Sequence, residues 1–168
     1  MKHNLMFGIV VATSLLVITA CGIVATIANT AFAQQQHFTA KLSSGNEVPP
    51  VTSKASGITT FDLNAAGTQM EYALNVTDID HVIAAHIHMA KSTENGPIVV
   101  NLFIPAKATG KVTGSLAQSG INSTSLIGPL KGKQMPDLIN LMKKGQAYVN
   151  VHTAQNPPGE VRGTITVG

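Results

Sequence analysis

An all-β fold, a Greek-key β-sandwich or barrel of about eight strands with one short helix near its C-terminal part and an N-terminal export helix in front, follows from three observations. Apolar and polar residues alternate with period two through most of residues 34–168. Gly, Pro, Asn and Ser divide the alternating runs into short pieces, and a single stretch changes to helical spacing.

Lys2 and His3 precede an uncharged apolar run from Leu5 to Ile27, and Ala31-Phe32-Ala33 then forms an A-x-A type cleavage site. This is the layout of an export leader. Residues 1–33 are expected to be a signal peptide cut between Ala33 and Gln34 or, if uncut, an N-terminal membrane anchor, since the apolar run is long enough to span a bilayer. Either way residues 34–168 are extracytoplasmic, secreted or anchored to the outer face of the cytoplasmic membrane, because Lys2 holds its end of the run inside. Ile18-Thr19-Ala20-Cys21-Gly22 is similar to a lipobox, but the chain stays apolar through Ile27 where a lipoprotein turns polar. Cys21 therefore reads as a small apolar residue of the leader.

Within residues 34–168, Phe38, Ala40 and Leu42 alternate with His37, Thr39 and Lys41, and Thr59, Phe61 and Leu63 with Thr60 and Asp62. Met70, Tyr72, Leu74 and Val76 alternate with Glu71, Ala73 and Asn75. Each run reads as a half-buried strand. Asn64-Ala65-Ala66-Gly67-Thr68 makes a hairpin of the second and third, with a glycine available for positive φ. Further strands are expected at 83–90, 97–104, 111–118, 146–153 and 160–167. The helix spans Met135 to Gly145: Leu138, Leu141 and Met142 share a face, Pro136 and Asp137 suit the first turn, and Gly145 suits the stop. Lys143 and Lys144 lie where the helix dipole favours cations, which explains them without a binding patch.

Cys21 is the one cysteine, so residues 34–168 have no disulfide, no thiolate ligand and no cysteine nucleophile, and an ordinary core must hold them. With Lys2 in the leader, ten Lys or Arg stand against eight Asp or Glu, a formal charge of +2 spread without runs. This is no nucleic-acid footprint, and the membrane enters only through the N-terminal segment. Neither Gly110-Lys111 nor Gly132-Lys133 makes a phosphate loop, and no G-x-S-x-G elbow is present.

The histidines carry the chemistry. Ile83, Ala85, Ile87 and Met89 take one face of the 83–90 strand, so His86 and His88 project together from the other, about 7 Å apart along the strand. Val149 and Val151 take the core face of the 146–153 strand, which sets Tyr148, Asn150 and His152 opposite. If the two strands are neighbours, three imidazoles meet outside the core. Neutral imidazole suits copper and zinc, and one ion with bonds near 2 Å needs the nitrogens about 3–4 Å apart. Alternatively the rings hydrogen-bond loop backbone, such as the Asn95-Gly96-Pro97 turn, and hold no ion. Asn150, Glu160 and Arg162 border this site; Glu160 and Arg162 alternate on the solvent face of the last strand, where an ion pair contributes under about 1 kcal/mol. Asp78, Asp80 and His81 read as turn chemistry.

His86-Ile87-His88, Asn95-Gly96-Pro97-Ile98-Val99, the helix ending at Gly145, Tyr148-Val149-Asn150-Val151-His152-Thr153 and Pro158-Gly159-Glu160-Val161-Arg162-Gly163 follow one another in an order that resembles the CHRD family, named after chordin. The resemblance runs from about Phe38 to Val167 and includes Asn46-Glu47-Val48-Pro49-Pro50. In animals it implies an extracellular module of a growth-factor antagonist, and in microbes an exported protein of largely undefined role. Microbial members often follow His-x-His with a small residue and glycine, whereas Met89-Ala90-Lys91-Ser92-Thr93 follows here. Copper-zinc superoxide dismutases are similar in a weaker way, with a Greek-key sandwich, a His-x-His strand and a later strand histidine at copper. This chain departs from them in lacking a bridging histidine, a His and Asp zinc set and a disulfide.

Two functions follow. The first is a noncatalytic extracytoplasmic module that binds a protein or polymer partner, with the histidines serving the fold. The second is a copper- or zinc-binding protein using His86, His88 and His152, with superoxide dismutase-like redox chemistry as its extension. The lack of an acid–base or nucleophile set leans against an enzyme.

Overall fold

The computed structural model describes residues 35–168; the leader and the Ala33–Gln34 cleavage point lie outside the described residues. The elements are β1 (His37–Ser43), β2 (Ser56–Leu63), β3 (Gln69–Ile79), β4 (Val82–His88), β5 (Ile98–Phe103), β6 (Val112–Asn122), α1 (Met135–Lys143), β7 (Tyr148–Thr153), β8 (Val161–Thr164) and β9 (Thr166–Val167). The main strands form one antiparallel sheet in the order β5-β4-β7-β8-β1-β2-β3-β6.

The sheet curls until its two edges almost meet. Val100 of β5 bridges to Leu126 just beyond β6, the Ile127 amide donates to the Val99 carbonyl at 2.9 Å, and the Tyr72 hydroxyl donates to the Leu102 carbonyl. The result is a nearly closed barrel. Around its circumference β3, β6, β5 and β4 are successive neighbours, which is the Greek-key arrangement. Its interior is filled by the apolar half of each alternating run, including Phe38, Phe61, Leu74, Ile87, Val149 and Val151, all fully buried.

Local chemistry accounts for the connections. Asn64 Oδ1 accepts from the Thr68 amide at 2.9 Å and Gly67 takes φ 69°, closing the β2–β3 hairpin. Between β3 and β4, Asp80 Oδ1 accepts from the His81 amide at 2.8 Å and His81 itself has φ 52°. That short corner carries the chain across the barrel, from β3 near one edge of the sheet to β4 near the other. Asp137 Oδ2 accepts from the Gln134 amide at 3.0 Å to cap α1, and Gly145 at φ 64° follows its end. Leu138 and Met142 of the helix are fully buried in the core cluster.

The continuous strand that alternation predicts at 160–167 is divided. Thr164 pairs with Tyr148 of β7, whereas Thr166 and Val167 pair with β1, and buried Ile165 marks the change of partner. Where β8 runs beside β1, a Cβ on Gly163 would lie 2.1 Å from the Lys41 carbonyl oxygen, so only glycine permits this approach.

Candidate functional site

Three neighbouring strands build the site. Ala85 and Ile87 of β4 and Val149 and Val151 of β7 are fully buried in the barrel core, so the alternate residues project from the outer face. Antiparallel register sets His88 opposite Tyr148, His86 opposite Asn150 and Ala84 opposite His152. On the other side of β7, Asn150 faces Arg162 of β8. The pairing therefore gathers His86, His88 and His152 into one patch, with Asn150 and Arg162 beside it.

Alternation alone places these residues in solvent, and here the structure differs. His86, His88 and His152 are each 8 % exposed, Glu160 is also 8 % exposed, and Asn150 and Arg162 only 1 %. The segments that follow β1, β4 and β7 fold over the face and cover it. Glu47, Glu94, Asn95, Gly96 and Pro157 are among the residues of that roof that reach the site. A period of two tells which side of a strand is polar but not what lies on top of it.

The three rings face one another, with centroids 5.7 Å apart for His86 and His88, 4.9 Å for His86 and His152, and 5.7 Å for His88 and His152. One nitrogen from each ring lies within 4.8 Å of the others, wider than the 3–4 Å a bound ion would set, so the rings would draw inward by about an ångström on ligation. Nδ1 of His88 donates to the Gly96 carbonyl at 2.8 Å, and Nδ1 of His152 donates to the Pro157 carbonyl at 2.9 Å. These bonds fix the tautomer and leave Nε2 as the free lone pair of each ring. Nε2 of His88, Nε2 of His152 and Nδ1 of His86 are buried and have no hydrogen-bond partner.

Electrostatics keep the rings neutral. Burial, with added repulsion from His152 and His88, lowers the His86 pKa to about 4. Burial likewise lowers His88 and His152; the carbonyl bonds to Gly96 and Pro157 oppose the shift, and the nearby Arg162 charge reinforces it. Neutral imidazole is the form that ligates a metal.

Arg162 organises the neighbouring layer. Its Nε and Nη2 both reach Glu47 Oε2 at 2.7 Å, Nη2 also donates to Asn95 Oδ1 at 2.7 Å, and Nη1 donates to the Glu94 carbonyl at 3.2 Å. The guanidinium sits 4.8 Å from the Tyr148 ring centroid, and Tyr148 stacks on His88 at 5.0 Å with 9° between planes. The surface ion pair expected of Glu160 and Arg162 is thus replaced by a buried pair between Arg162 and Glu47. The reason is long-range: β1 lies next to β8, which brings the segment after β1 over Arg162. Burial raises the Glu47 pKa against the opposing pull of Arg162. Burial also tends to raise Glu160, but hydrogen bonds from Ser53, Asn156 and Thr153 outweigh it and hold the carboxyl low.

With this geometry in hand, comparison with known families is decisive for kinship: a model described as the CHRD domain matches residues 38–165. The chain belongs to the CHRD family. No curated protein matches it. The match covers the barrel from Phe38 of β1 through β8, including the Glu47 segment and all three histidines.

Sequence reasoning did not find the roles of Glu47, Tyr148 and Asn95 in this CHRD domain. Glu47 had one available signal, a lone carboxylate in Asn46-Glu47-Val48-Pro49-Pro50, a motif of the family resemblance. Tyr148 carried another in its place on the same strand face as His152, which groups it with the imidazoles.

Two predictions follow from the site's electrostatics. Arg162→Met should destabilise the fold by about 3–5 kcal/mol in denaturant titration, because it strands a buried carboxylate. Adding Glu47→Gln should recover much of that loss, and a double variant as unstable as the sum of the two singles would contradict the pairing. The metal-free protein should also lose stability as pH falls from 6.5 toward 4. The folded state keeps His86 neutral down to about 4 while the unfolded chain protonates near 6.5, so this contribution is complete above pH 6.5 and is lost progressively as pH falls to about 4. Urea midpoints measured across that range should show a shallower decline in His86→Gln than in the parent protein.

Proposed function

We propose that this CHRD domain is an exported metal-binding module that holds one copper or zinc ion on His86, His88 and His152. The observation that carries the reading is the set of three buried imidazole nitrogens, one from each ring, with no partner in the protein. Were the histidines there only for the fold, each such nitrogen would cost about 1–3 kcal/mol of unrecovered desolvation. A noncatalytic interaction module with an empty histidine cluster leaves that cost unexplained. A metal-holding module accounts for it and retains the extracytoplasmic setting that the leader suggests, secreted or tethered by its N-terminal segment.

The donor set favours the same reading. Three neutral imidazoles without thiolate suit copper and zinc better than magnesium or calcium, which take oxygen ligands. The Gly96 and Pro157 carbonyls act as the outer partners that orient metal-binding histidines. Asn150 and Arg162 lie beside the histidines on the paired strands, and among the described His, Cys, Asp and Glu residues only the three histidines converge there, so Glu160 supplies no ligand atom to the group. Superoxide dismutation would be a further step, measurable by superoxide consumption once copper is loaded. A protein or polymer partner outside the cell remains compatible with metal holding and would use other surfaces.

Elemental analysis after exposure to copper and zinc, followed by desalting, tests the proposal. The protein should retain about one equivalent, and the bound ion should raise its melting temperature as expected for a ligand that binds only the folded state. The double variant His86→Ala with His88→Ala, and separately His152→Ala, should retain none. Equal metal content in parent and variants, or none in the parent, would refute the site.

A further inference from the structure

Resting on the metal-binding reading, we infer that the ion this site selects is monovalent copper, in preference to divalent copper or zinc, and that the buried Arg162 charge tunes the preference through Tyr148. Charge is the first reason. Among the described residues the cluster offers only His86, His88 and His152, and no carboxylate or thiolate joins it. Nε2 of His88, Nε2 of His152 and Nδ1 of His86 are buried, so an ion held by them sheds water without gaining a negative ligand. The cost of moving an ion into a medium of low dielectric constant rises with the square of its charge, which penalises a divalent ion far more than a monovalent one.

Coordination number is the second reason. A divalent zinc ion in a protein is ordinarily four-coordinate, and with three protein ligands it takes water or substrate as the fourth. Three converging imidazoles are enough for trigonal monovalent copper. The third reason is the stacked column beside the site. Arg162 lies 4.8 Å from the Tyr148 ring centroid, and Tyr148 stacks on His88 at 5.0 Å and 9°. Of the Arg162–Glu47 pair, the cationic member is the one packed against the column that ends in a ligand ring. A positive group there disfavours each added unit of charge on the ion, and divalent ions suffer twice.

Competition titration of the protein against chromophoric chelators tests this, with monovalent copper under anaerobic reducing conditions and divalent copper and zinc in air. The blank is the His86→Ala/His88→Ala variant, which subtracts any binding by Cys21. Monovalent copper should bind at least about tenfold tighter than divalent copper, equivalent to a reduction potential at least about 59 mV above that of the aqueous couple. Glu47→Gln, which leaves the Arg162 charge uncompensated, should raise the ratio further. Tighter histidine-dependent binding of divalent copper or zinc would overturn the inference while leaving the three-histidine site intact. A ratio that Glu47→Gln leaves unchanged or lowers would overturn the role of Arg162. If ions of neither valence bind, the metal-binding reading falls with it.

Discussion

Covering the polar face of β7 takes its nitrogen and oxygen atoms out of water, so each one either finds a partner inside the protein or, like Asn150 Oδ1 and His152 Nε2, bears the cost of lacking one. All six residues of β7 are buried, the valines against the barrel core and Tyr148, Asn150 and His152 under a roof of loops. Arg162 meets much of the demand by tying the roof down at Glu47, Glu94 and Asn95. The roof in turn supplies the Gly96 and Pro157 carbonyls that orient two of the three histidines. Loop placement and ring orientation therefore depend on each other. A buried ion pair of this kind adds little net stability over an apolar replacement. Its effect here is to specify where the segments after β1 and β4 lie.

The division of labour between the two faces of the wall explains how a buried histidine cluster can sit on the barrel. Strand pairing fixes the spacing of His86, His88 and His152 through backbone hydrogen bonds that the aliphatic core holds in place. Sites carried on strands are held more tightly than sites on loops. Loops contribute the outer partners, where small adjustments of ring position are possible. The unused desolvation at three imidazole nitrogens is then the stored cost that an ion of suitable charge would relieve.

Much of this arrangement was legible from residue order. Period two located every major strand, Pro136 and Gly145 bracketed the helix, and His86, His88 and His152 fell on the correct strand faces because alternation is a local property. The roof was not legible, because it depends on β1 lying beside β8 and on the segments after β1, β4 and β7 converging, contacts separated by tens of residues. For the same reason Arg162 read as a surface residue paired with Glu160, its neighbour two positions away, when its partner Glu47 comes from the start of the barrel. The break at Ile165 was hidden as well, since a strand that changes ladder partner keeps its alternation.

The claim on which the account rests is that three neutral imidazoles are buried with their tautomers set by the roof. Long-range proton–nitrogen NMR of the metal-free protein at neutral pH reads this directly. His86, His88 and His152 should all be neutral, with the proton of His88 and of His152 on Nδ1. Imidazolium signals from these rings, or Nε2-protonated tautomers at His88 and His152, would contradict the account.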